Sequence, residues 1–129
     1  MLKKLSVVCI MVLGFFAIAG NVKAQSMYFC ESVSSDGYAQ NESSVFNISS
    51  NGGYLDVLVK LPYALNCSSV RYELYLNGVY ETTIYQDAKT NWEWFFQKIT
   101  FYKAGTWQIY CIDCNDATLA SGSLTIQFN

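Results

Sequence analysis

The stretch Tyr54–Leu61 (YLDVLVKL) constrains this chain more than any other. Leu55, Val57, Val59 and Leu61 fall on one side of an extended backbone, and Asp56 and Lys60 on the other. Alternation of that length belongs to a strand with one buried face, because successive side chains point to opposite faces. The rhythm recurs downstream. Val70, Tyr72, Leu74 and Leu76 alternate with Arg71, Glu73 and Tyr75, and Asn77-Gly78 then separates them from a second run, Val79–Tyr85. Asn-Gly in that setting predicts a tight hairpin, since both turn residues must accept positive φ. Trp92–Tyr102 (WEWFFQKITFY) predicts a long strand, bent or bulged near Phe95-Phe96. Thr106–Ile112 places Trp107, Ile109 and Cys111 on a core face, and Ser121–Phe128 turns Leu124, Ile126 and Phe128 inward. Ser26–Ser32 and Ser44–Ile48 supply two shorter strands ahead of Asn51-Gly52-Gly53. No window keeps a helical period long enough for a helix. About seven or eight short strands, with turns roughly every 8–12 residues, predict an all-β, antiparallel two-sheet sandwich.

The amino terminus reads differently. Met1-Leu2-Lys3-Lys4 is positively charged, Leu5 to Gly20 is apolar, and Val22 and Ala24 stand at the −3 and −1 positions of a cut after Ala24. That order is the signature of a secretory signal peptide. The apolar run of roughly 16 residues is short of the ~20 that span a bilayer core, which argues against a membrane anchor. The expected division is therefore residues 1–24 as signal peptide and 25–129 as one sandwich domain, secreted, periplasmic or on the cell surface, with no stable membrane insertion after cleavage. Cys9 lies within the apolar run rather than at the cut, unlike a lipid-attachment cysteine.

Lys3, Lys4 and Lys23 leave with the signal peptide, so the mature part carries five basic against ten acidic residues, a formal charge of −5. No basic cluster exists, which excludes an electrostatic footprint for nucleic acid and disfavours docking on an anionic membrane. Cys30, Cys67, Cys111 and Cys114 remain, and four cysteines in an exported domain read as two disulfides. Cys111-x-x-Cys114 also raises a zinc site or a thioredoxin-like redox centre. The zinc reading lacks a second close cysteine pair and any histidine; the redox reading lacks the helix that such a motif opens.

A family resemblance rests on Ala104-Gly105-Thr106-Trp107-Gln108-Ile109-Tyr110-Cys111. This segment resembles the Gly-x-Tyr-x-Cys corner and F strand of immunoglobulin-like domains, with Trp107 where the corner tyrosine usually stands and Cys111 four residues on rather than two. Asp113–Phe128 is similar to the F–G hairpin and last strand of such domains. The resemblance implies a small secreted immunoglobulin-like module of the kind found on bacterial surfaces. Cys67, ahead of the third or fourth strand, does not fit the usual disulfide between strands B and F. The expectation is that Cys30 and Cys67 each bond to one member of the Cys111/Cys114 pair.

With no histidine, Ser-His-Asp and Cys-His catalysis are excluded. A carboxylate pair could still hydrolyse a glycoside, but the ten acidic residues are scattered singly. Calcium at Asp113 and Asp116, with Asp36, matches no loop spacing. No catalytic residue, metal or cofactor is expected. Three Asn-x-Ser sequons, at Asn41, Asn47 and Asn66, have no role if the signal peptide is bacterial. Aromatic content is the unusual feature. Trp92 and Trp94, two apart, share a face if both lie on a strand; exposed, they would form a stacking surface for sugar rings, and buried, they would fill the space between sheets. The leading expectation is a non-enzymatic binding, adhesion or structural module with an unknown protein or glycan ligand. The alternative is a carbohydrate-binding domain that uses Trp92 and Trp94.

Overall fold

A computed structural model describes residues 26–129, so the segment read as a signal peptide lies outside the described residues. Ten strands follow one another: β1 (Ser26–Cys30), β2 (Ser32–Val33), β3 (Ala39–Gln40), β4 (Val45–Ile48), β5 (Gly53–Lys60), β6 (Ser69–Leu76), β7 (Val79–Asp87), β8 (Trp94–Phe101), β9 (Gly105–Ile112) and β10 (Thr118–Phe128). Eight of them build two sheets, ordered β1-β5-β8 and β4-β10-β9-β6-β7, while β2 and β3 form a small separate hairpin. Taking β1, β5 and β8 as strands A, B and E, and β6, β7, β9 and β10 as C, C′, F and G, this is the strand order of an immunoglobulin-like sandwich. The all-β expectation therefore holds. It is antiparallel with one exception: β4 runs parallel to β10, Phe46 beside Ile126.

The alternation decides the packing. Leu55, Val57 and Val59 of β5 and Phe95, Ile99 and Phe101 of β8 face Val70, Tyr72 and Leu74 of β6 and Trp107, Ile109 and Cys111 of β9 in one core. Asn77 and Gly78 both take positive φ, at 51° and 86°, and close the β6–β7 hairpin as expected. Leu124 and Ile126 are buried, but Phe128 is exposed; it lies beside Ile48 at the end of the parallel pair, past the edge of the core. No bulge occurs at Phe95-Phe96, which pair regularly with Val59 and Leu58. The irregularities fall at Leu74/Tyr75 and Thr118/Ala120 instead.

Trp107 does fill the corner. Its indole Nε1–H donates to the carbonyl of Lys103, four residues upstream, at 3.0 Å, and its ring meets Phe101 edge-on at 5.1 Å. A corner tyrosine makes the same kind of bond back to upstream backbone.

Among the described residues one disulfide forms, Cys67–Cys114, and it joins the approach to β6 to the β9–β10 turn. Cys30 and Cys111 are free and buried, which corrects the expectation of a second bridge. The reason is parity. Phe29 points into the core, so its neighbour Cys30 points to the outer side of the three-stranded sheet, whereas Cys111 faces the core from the opposite sheet.

The outer side of the three-stranded sheet is also partly covered. Leu58 and Asp56 point away from the core, yet they are 0 % and 7 % exposed. The segment carrying β2 and β3 lies over them: Tyr38 places its ring 4.3 Å from the Lys60 ammonium, and Gly37 lies against Trp94.

Candidate functional site

Trp92 and Trp94 reach the same groove by different routes. Trp94 opens β8 and points to the outer face, while Phe95 beside it is buried. Trp92 precedes the strand and sits in the turn, so strand alternation does not set its direction and the same-face argument does not apply to it. Its ring packs against the core and stacks with Phe95, centroids 5.7 Å apart and planes 25° apart. Both indoles are half-buried, and Phe96 is 39 % exposed. Together with Asn91, Glu93 and Phe95 these rings line an open groove of about 530 Å³.

The backbone under the groove is held on both sides. Four N–H donors reach across from the loop that precedes β6 and from the turn itself: Leu61 to Glu93 O at 2.8 Å, Leu65 to Trp92 O at 2.7 Å, Asn66 to Thr90 O at 2.8 Å, and Trp92 to Lys89 O at 3.1 Å. Further on, the Gln86 amide donates to the Phe96 carbonyl at 2.8 Å and accepts from the Tyr72 hydroxyl at 2.6 Å, tying β8 to the other sheet. Trp94 is fixed from behind by Gly37. A Cβ at that position would stand 2.7 Å from Cδ2 and Cε2 of the indole, and the φ of +89° favours glycine independently. The rings are thus presented from a preorganised frame, which lowers the ordering cost of binding.

The titratable groups elsewhere are placed for structure. Asp113 accepts from the backbone N–H groups of Asn115 and Ala117 and so shapes the β9–β10 turn, and Asp116 pairs with Arg71 at 2.9 Å. Asp36 lies in the β2–β3 turn, bonded to Ser34. These three carboxylates are not brought together. Among the described residues no three histidine, cysteine, aspartate or glutamate side chains stand close enough to share a metal ion.

The Cys111-x-x-Cys114 pair is split between two fates. Cys114 is bonded to Cys67, and burial pushes the Cys111 thiol up to about 12, against a partial lowering by the Tyr72 hydroxyl. A thiol held that high is a poor nucleophile at neutral pH. Burial likewise raises the Cys30 thiol. Asp56 is the polar group that sequence reasoning misplaced. Alternation marks it as solvated, but the covering hairpin buries it and leaves its Oδ1 without a hydrogen-bond partner. Burial holds its carboxyl above the ordinary range, opposed by Lys98.

No protein-family model and no curated protein matches this sequence. Among solved structures, the chain is similar to the CARDB domain of a Pyrococcus furiosus protein. The crystal structure of that domain, in complex with di-metal ions, is 11 % identical over 82 % of this chain and 93 % of that one, with a TM-score of 0.45. The solution structure of the same domain is 13 % identical over 81 % and 93 %, with a TM-score of 0.38. Among the described residues no helix is long and apolar enough to cross a membrane.

Proposed function

We propose that the mature domain is an exported, non-enzymatic binding or adhesion module that takes an apolar side chain of a protein partner into the groove at the start of β8. The observation that carries this reading is the groove itself: Trp92, Trp94 and Phe96 line about 530 Å³ of open space on a backbone held by the bonds from Leu61, Leu65 and Asn66. Tryptophan-rich, rigid, partly desolvated pockets are where the energy of protein interfaces concentrates. A protein partner fits better than a sugar, because rings dominate the lining and, beside the two indole N–H donors, only Asn91 and Glu93 offer side-chain hydrogen bonds, so acceptors for sugar hydroxyls are few. Export agrees with the Cys67–Cys114 disulfide, which persists in an oxidising compartment.

The test is selection of a random peptide library on the mature chain, followed by binding of the enriched peptides to Trp94→Ala and Phe96→Ala variants. Enriched peptides with a shared aromatic or aliphatic position, bound at least tenfold more weakly by the variants, are the expected result. Peptides that bind the variants as well as the parent would place the contact elsewhere.

A further inference from the structure

The outer face of the five-stranded sheet holds a second groove of a different chemistry. Arg71, Glu73 and Tyr75 project from β6 on the side opposite Val70, Tyr72 and Leu74. The register sets Tyr110 beside Glu73 and Gln108 beside Tyr75 on β9, and Tyr80 beside Tyr75 on β7. Tyr75 is the hub. Its ring meets Tyr80 edge-on at 5.7 Å and 73°, and Tyr110 at 5.6 Å and 89°. Glu73, Tyr75, Gln108, Tyr110 and Thr118 line a groove of about 440 Å³ there.

The polar groups of this groove are arranged rather than scattered. Glu73 is held twice: Oε2 accepts from Arg71 Nε at 3.2 Å, and Oε1 from the Tyr75 hydroxyl at 3.4 Å. Arg71 is in turn bonded to Asp116 at 2.9 Å. The carboxylate is therefore aimed before any ligand arrives, and an ionised carboxylate is a strong hydrogen-bond acceptor. Gln108 and Thr118 are exposed, and Tyr110 is half-buried. They add an amide that both donates and accepts and two hydroxyls that do the same.

We propose that this face binds a neutral saccharide. A sugar ring offers both an apolar C–H face, which stacks on tyrosine, and hydroxyls, which need donors and acceptors in alternation; the groove supplies both. An anionic ligand is disfavoured, because no basic side chain lines the groove and the Arg71 guanidinium is engaged by Glu73 and Asp116. A cationic ligand is disfavoured in turn, because Glu73 already has a cationic partner in Arg71, which leaves one net negative charge over the Glu73–Arg71–Asp116 set. The proposal uses residues of the opposite sheet and does not rest on the groove at Trp92.

The experiment is a screen of the mature chain on immobilised neutral and anionic oligosaccharides, with calorimetric titration of the best soluble binder into the parent, Tyr110→Ala, Gln108→Ala and Glu73→Gln chains. The expected result is binding to neutral sugars, weakened at least tenfold by Tyr110→Ala and several-fold by the other two. Gln108 is exposed, so its substitution leaves the fold intact and carries the test even if Tyr110→Ala does not fold. No binder in the screen, a preference for anionic sugars, or a binder that is insensitive to Gln108→Ala and Glu73→Gln would each overturn the proposal. Peptide binding at the other groove is measured separately, so failure of one assignment is not failure of the other.

Discussion

Removing the Cys67–Cys114 disulfide should cost this domain a large part of its stability. Cys67 and Cys114 are separated by 47 positions, so the bridge closes nearly half of the described residues, 26–129, into one loop. In the chain-entropy treatment, cross-linking a loop of that length removes about 14 cal/mol/K from the unfolded ensemble, or about 4 kcal/mol at 25 °C. A domain of this size has a total stability of only about 5–15 kcal/mol, so the change is a substantial share of it. The perturbation is the double substitution Cys67→Ala/Cys114→Ala, which also avoids stray thiols. Urea unfolding followed by tryptophan emission should show a loss of about 3 to 4 kcal/mol, and thermal unfolding a fall in Tm of roughly 15–25 °C. Thiol titration supplies the control. The parent should show no reactive thiol when folded and two, Cys30 and Cys111, when unfolded without reductant. A loss below about 1 kcal/mol, or no free thiol in the unfolded parent, would refute the connectivity on which the calculation rests.

Three further outcomes follow from the packing. Asp56→Asn should stabilise the domain by about 1 to 2 kcal/mol at pH 7, because it removes a buried charge whose Oδ1 lacks a partner. Burial raises the folded carboxyl, so the folded chain holds this proton more tightly than the unfolded one. The difference between variant and parent should shrink as pH falls through the raised value and vanish near the ordinary value of about 4; a gap that widens on acidification contradicts the assignment. Gly37→Ala should destabilise by about 1 kcal/mol or more and shift tryptophan emission, because its Cβ meets the Trp94 ring and its φ is positive; unchanged emission would show that the indole does not rest there. Trp107→Phe should cost about 2 kcal/mol in chemical unfolding, from the lost bond to Lys103 O and reduced buried area; a neutral effect would remove Trp107 from the corner role.

Most of the sandwich is legible in the sequence because its central strands carry apolar side chains at every second position on their inward faces, even in β5, whose outward Asp56 and Leu58 are buried as well. β5, β6 and β9 write their inward faces directly as Leu55/Val57/Val59, Val70/Tyr72/Leu74 and Trp107/Ile109/Cys111. Asn77-Gly78 likewise announces its turn through the φ values it permits. What escaped depends on long-range neighbours. The parallel pairing of β4 with β10 joins positions some eighty residues apart and leaves no local pattern. The β2–β3 hairpin is two residues per strand, too short to alternate, yet it turns the outer position of Asp56 into a buried one. Trp92 misleads because a turn begins inside an aromatic run, so i, i+2 spacing no longer implies a shared face. The disulfide partners needed the parity of β1, which Phe29 reveals once it is known to be in the core. The tyrosine face was hidden for another reason: Tyr75, Tyr80 and Tyr110 come from three strands, and only the register brings them together.

The most direct test of the central claim is acrylamide quenching of tryptophan emission in a chain of residues 25–129, with and without a selected peptide. Trp107 is 5 % exposed and Trp92 and Trp94 are half-buried in the groove, so the quenchable emission belongs to the groove pair. The account predicts that bound peptide shields this emission, and that shielding disappears in a Trp92→Phe/Trp94→Phe chain that retains only Trp107. Quenching that stays unchanged while the peptide is demonstrably bound would contradict it.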